Sequence, residues 1–113
     1  EIDGLSVEMS RESLDSERLS AYYRAVSYLV KLKALERKKA LKEELLKDAR
    51  EIYSVAEEKF RKGLVMITDV LKARSSVEDA KASLRKTELE YEQTFNELNE
   101  LLDFALKEGE PVE

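Results

Sequence analysis

The sequence contains no cysteine and no histidine, and only one proline and three glycines in 113 residues. Without cysteine there are no disulfides, no thiolate zinc sites and no cysteine nucleophile. Without histidine the commonest general base and metal ligand are missing as well. Punctuation this sparse argues against an all-β fold, which needs a turn about every 8–12 residues. No window reaches the ~18–20 apolar residues of a membrane span, and there is no signal-peptide apolar region. Asn and Gln total three, Gln93, Asn96 and Asn99, amid abundant Lys and Glu, a bias that points to a thermophile source. The chain opens on Glu1 rather than Met, as expected of a processed product or an excised piece.

What remains is charge and helix-compatible apolar residues. Charged side chains make up 40% of the chain, 20 basic and 25 acidic for a net charge of -5, and hydrophobic residues 42%. The length suits one small domain, and the expected fold is all-α with few, long helices. Residues 1–13 are the least periodic. Ile2, Leu5, Val7 and Met9 nearly alternate with polar residues, as in a strand remnant or an irregular leader. Asp15 or Ser16 can then cap a helix over 14–61, because a short oxygen-bearing side chain satisfies a free first-turn N–H. Apolar residues recur at Tyr22, Val26, Leu29, Leu32, Leu41, Leu45, Ala49, Ile52, Ala56 and Phe60, in steps that favour one helical face. Such a segment would run on the order of 65–70 Å at 1.5 Å per residue, too long for a small globule.

Gly63 is the only glycine between Gly4 and Gly109, so the chain is expected to reverse over 62–66. The second helix, 67–108, carries the more regular pattern. Positions 70, 73, 77, 80, 84, 87, 91, 94, 98, 101 and 105 alternate three- and four-residue steps, and none of the eleven is charged. A seven-residue repeat of this kind implies supercoiling against a partner helix. Gly109 and Pro111 end the helix and leave 109–113 as a tail. The architecture expected is a long antiparallel helical hairpin, a coiled coil. Further apolar residues lie off these stripes, Tyr23, Val30, Leu46 and Tyr53 on the first helix and Leu71, Leu89, Phe95, Leu102 and Leu106 on the second. Two helices cannot cover them all, and exposed apolar stripes mark association surfaces.

Chemistry-bearing motifs are absent. There is no phosphate-binding glycine loop, and no nucleophile stands beside a base. Carboxylate pairs such as Glu43-Glu44, Glu57-Glu58 and Glu78-Asp79 sit about 100° apart on a helix, and a Glu-x-x-His di-metal site needs a histidine. The basic run 37–39 with Lys42 is flanked by acids and reads as a solvated face. Residues 61–87 hold seven basic and three acidic side chains, residues 88–113 one basic and nine acidic. Taken alone this is a solvated helix surface; copies arranged round an axis would make an electronegative zone that attracts cations and repels nucleic acid. No catalytic residue, cofactor or metal ligand is expected.

The bend Phe60-Arg61-Lys62-Gly63-Leu64-Val65-Met66-Ile67-Thr68-Asp69-Val70-Leu71 resembles the TolC-type outer-membrane efflux (channel-tunnel) family. Its signature is a helix ending in an aromatic, two residues, Gly, a short apolar turn and Asp-Val-Leu opening the returning helix. The likeness extends upstream through Ala49 to Lys59 and downstream through Ala80 to Leu84, Glu90-Tyr91 and Asn96 to Leu102. The resemblance implies periplasmic hairpins assembled side by side into a trimer-like or other helical ring, with two hairpin repeats per subunit. It implies transport through the lumen and contact of the bend with a periplasmic adaptor (membrane fusion) protein. On that basis Phe60, Gly63, Leu64, Val65 and Asp69 form the tip, with Leu64 and Val65 facing the adaptor and Asp69 either gating the aperture or capping its helix. The chain departs from the pattern at Met66, where many members have Ser or Thr. It also has Phe60, Val65 and Lys72 where members that latch the aperture have a tyrosine, an arginine and an acid. At 113 residues it is expected to be a fragment or a single-repeat relative, touching the outer membrane only through parts outside this chain. The runner-up is a stand-alone cytoplasmic coiled-coil adaptor or chaperone-like hairpin that binds protein clients.

Overall fold

The computed structural model describes the backbone of residues 2–109 and the side chains of residues 11–104. These residues are all-α. Helix α1 spans Ile2–Arg61, helix α2 spans Ile67–Gly109, and a five-residue bend joins them, with no strand among the described residues. The expected helical hairpin is the observed fold. The chain divides into two compact units, residues 33–92, which contain the bend, and residues 1–32 with 93–113. Each unit contains a stretch of both helices.

The start of α1 corrects the expected leader. Residues 2–13 are neither a strand remnant nor irregular but part of α1, and Asp15 and Ser16 lie inside the helix rather than capping it. Ile2, Leu5 and Met9 are also three and four residues apart, a helical spacing that Val7 disguises as alternation. Gly4 is the only helix-weakening residue there, and one glycine costs a helix only about 1 kcal/mol. At the other end α2 runs through Gly109. Pro111 and the tail from residue 110 lie outside the described residues, as do the side chains of Ala105 and Leu106.

The inward face of α2 is the one its periodicity predicts. Val70, Ala73, Val77, Thr87, Thr94 and Leu98 are buried, and Ala80, Leu84, Tyr91 and Leu101 are half-buried. Two of the buried residues carry hydroxyls. Thr87 is 1% exposed and donates its Oγ1 hydrogen to the Ser83 carbonyl at 3.1 Å, so its polar group is satisfied within its own helix.

The inward face of α1 is the expected one only in part, at Leu32, Ala49 and Ala56. Its covered positions are Ala21, Ala25, Tyr28, Leu32, Leu35, Lys39, Lys42, Leu46, Ala49, Tyr53 and Ala56, again in alternating steps of four and three. Leu46 and Tyr53, assigned above to a side stripe, belong to this seam. Tyr22, Val26, Leu29, Leu41, Leu45, Ile52 and Phe60 are exposed instead. Two lysines stand in the seam, and lysine can occupy such a position because its aliphatic stem packs while its ammonium reaches water. No ion pair involves Lys39 or Lys42 among the described residues.

Within the 33–92 unit two polar contacts between the helices fix the pairing. The Tyr91 hydroxyl donates to Glu36 Oε1 at 3.2 Å, and Lys38 Nζ lies 3.8 Å from Glu90 Oε2. This register brings Lys39 and Lys42 to the level of Thr87, so the seam has a polar layer there. Desolvation, followed by the hydrogen bond to the Glu36 carboxylate and its negative charge, pushes the Tyr91 phenol above its ordinary pKa. The raised value means that the protonated phenol is the form the fold favours. Its contribution is complete below the usual pKa of about 10 and is lost as pH rises through the raised one. Glu36→Gln should therefore lower the titration midpoint of Tyr91 relative to the parent, read as the difference in ultraviolet phenolate absorbance between the two chains. Identical titration curves would remove Glu36 as a cause.

Candidate functional site

The bend is built by one glycine and one carboxylate. Gly63 has φ +73°, in the left-handed region where glycine carries no Cβ penalty. Its N–H donates to the Phe60 carbonyl at 2.9 Å and the Leu64 N–H to the Lys59 carbonyl at 2.9 Å. This pair of bonds is the Schellman termination of α1. The Lys62 N–H, bonded to the Glu58 carbonyl at 3.2 Å, completes the last turn. Exposed ion pairs Arg61–Glu57 at 3.9 Å and Lys62–Glu58 at 3.5 Å run along the same turn, each worth at most a few tenths of a kcal/mol. Basic Lys59 and Arg61 also suit the negative end of the helix dipole.

Asp69 organises the start of α2. Its Oδ2 accepts the Met66 N–H at 3.4 Å, while the Asp69 N–H donates to the Met66 carbonyl at 3.0 Å. This is half of a capping box, with the acid reaching back to the cap residue's amide. The other half needs a Ser or Thr side chain at position 66, and methionine has no oxygen to offer. Met66→Ser should complete the box and stabilise the hairpin by about 0.5–1 kcal/mol. A thermal melt followed by circular dichroism checks this, and an unchanged or lower melting temperature counts against the cap assignment. Met66 is 74% exposed, so its removal sacrifices no core contact.

Around this frame the tip presents apolar side chains to solvent. Leu64 is 69% exposed, and Phe60 and Ile67 are exposed as well. Val65 is half-buried. The five residues singled out from the sequence, Phe60, Gly63, Leu64, Val65 and Asp69, all fall within or beside one turn of chain. Met66 and Ile67, which the sequence pattern did not single out, share the exposed apolar surface. Their signal was available, since both follow the turn directly and precede the first seam residue, Val70.

A residue in the place of Leu64 ordinarily packs back on the helix it terminates. Here it is largely exposed instead, so the bend leaves an apolar side chain uncovered. No group of His, Asp or Glu that could hold a metal occurs among the described residues. None of the described helices is long and apolar enough to cross a membrane.

A family model described as outer membrane efflux protein matches residues 5–103. No curated protein and no solved structure matches the chain. Proteins of that family form transport channels rather than enzymes, act at the outer membrane and periplasm, and generally oligomerise and work with adaptor proteins. The match takes in both helices and the Gly63 bend, and the chain belongs to the outer membrane efflux protein family.

Proposed function

We propose that this chain is the periplasmic coiled-coil part of an outer-membrane efflux channel, that it assembles with other hairpins into a tunnel, and that its bend docks on a periplasmic adaptor. The observation that carries the reading is the exposed Leu64 and Met66 on a rigidly terminated turn. A turn fixed by Gly63 at one end and Asp69 at the other presents these side chains with little conformational freedom left to lose on binding. Apolar anchors on a rigid element are what a protein interface uses. Exposed Tyr22, Leu29, Leu45 and Ile52 on α1 and Leu71, Leu89 and Leu102 on α2 support burial against further helices, at about 25 cal/mol per Å² of apolar area removed from water.

The test is photo-crosslinking in the host cell, with a photoreactive amino acid in place of Leu64 in the full-length gene product. The expected partner, identified by mass spectrometry, is a periplasmic adaptor protein. The same label at exposed Lys47 should not enrich it. Cross-links to cytosolic proteins would favour the client-binding hairpin, and equal labelling from both positions would remove the bend as the docking site.

A further inference from the structure

We propose that the bend lodges in the headgroup region of an anionic phospholipid surface. Two levels of side chains carry this. At the apex stand Leu64 and Met66, the two most exposed large apolar side chains among the described residues, with Phe60 and Ile67 exposed beside them. A Cβ at Gly63 would meet nothing within 4 Å, so the outside of the turn is open and these side chains sit on a convex surface, not in a groove. Behind them lie cations. Lys59, Arg61 and Lys62 fall in the last turn of α1 or directly after it, and Lys72 in the second turn of α2, all exposed. At 1.5 Å per residue they stand within about 8 Å of the apex along the helices. Apolar side chains that lead and basic ones that follow match the depth order of a bilayer, whose acyl boundary lies just below its phosphates.

Charge selects the sign of the lipid and the part of the chain that meets it. Residues 59–72 hold four basic side chains and one acid, Asp69, whose carboxylate is already engaged by the Met66 N–H at 3.4 Å. The whole chain carries -5, and residues 88–113 hold one basic and nine acidic side chains. An anionic surface therefore repels most of the chain and attracts the bend. Arg61 and Lys62 are paired with Glu57 at 3.9 Å and Glu58 at 3.5 Å, but exposed pairs of this kind are weak. They can exchange for phosphate, which arginine meets with two parallel hydrogen bonds. A protein partner must supply a concave, acidic pocket for this array, whereas a fluid headgroup layer conforms to a convex one. Lipid and adaptor would compete for the same side chains; the inference rests on the exposure and charge of the bend and not on the adaptor.

In flotation assays the chain should bind phosphatidylglycerol vesicles about tenfold more tightly than phosphatidylcholine vesicles, and less tightly as salt is raised. Leu64→Gln with Met66→Gln should weaken that binding by about tenfold. Arg61→Gln with Lys62→Gln should do the same, as two cations that give up weak pairs. Ile52→Gln with Val55→Gln, at exposed apolar positions of α1 away from the bend, should leave it unchanged, with circular dichroism reporting helix in every variant. Because the chain has no tryptophan, Leu64→Trp supplies a single reporter, whose emission should shift to the blue on phosphatidylglycerol vesicles while that of Ile52→Trp does not. No binding by the parent, equal binding to both lipids, or an Ile52/Val55 variant that loses as much as the Leu64/Met66 variant overturns the proposal. Such a failure with the adaptor cross-link at Leu64 intact removes the lipid contact alone, and vesicle binding without that cross-link removes the adaptor alone.

Discussion

Gly63→Val should lower the stability of the hairpin by about 2–3 kcal/mol, and the cause is entirely backbone. A Cβ at position 63 would meet nothing within 4 Å, so there is no clash to relieve by moving neighbours. The cost is that of holding an L-residue at φ +73°, roughly 1–2 kcal/mol for an ordinary side chain and more for a β-branched one. A graded series isolates this backbone cost from the effect of side-chain bulk. Asn, which tolerates the left-handed region, should cost least, Ala more and Val most. Thermal melts of the three variants by circular dichroism supply the reading. If Val melted with the parent, or if the order followed side-chain size alone, the left-handed turn would not be what terminates α1.

The opposite sign is expected at the polar layer. Lys39→Leu with Lys42→Leu places apolar side chains at two half-buried seam positions, each worth about 1–1.5 kcal/mol given partial burial. Together they should raise the melting temperature by on the order of 10 °C. The gain should come with a loss of definition. A charged residue in a seam disfavours other registers and higher helix numbers, because those arrangements would bury it from every side. Sedimentation velocity of the double variant should therefore show a broader distribution of species than the parent. A melting temperature at or below that of the parent would return Lys39 and Lys42 to the outer surface and with them the whole α1 seam.

These lysines also account for which part of the fold was legible. The α2 seam could be read directly because none of its members is charged and their spacing never slips. The α1 seam keeps the same spacing, but Lys39 and Lys42 interrupt its chemistry, and Ala21 and Ala25 contribute little apolar weight. Larger residues beside it, Tyr22, Leu29, Leu45 and Ile52, draw the eye to a face that is in fact open. Hydrophobic pattern reports which residues avoid water, and in a protein that packs against further helices those need not be the ones its own fold covers. The bend was legible because a left-handed turn and a first-turn carboxylate each demand a particular residue type. Met66 and Ile67 were marked only by their place between the turn and Val70, because exposure of an apolar side chain leaves no residue-type signal of its own.

The inward hydroxyl of Thr87 bonds to the carbonyl one turn earlier in its own helix, so α2 brings no unmet polar demand of its own to that level of the seam. At that level any rod of fitting width would do. Choosiness is written one turn further along, where Tyr91 and Glu90 of α2 meet Glu36 and Lys38 of α1. Exchanging α2 for an unrelated uncharged heptad helix would keep a seam but erase the address.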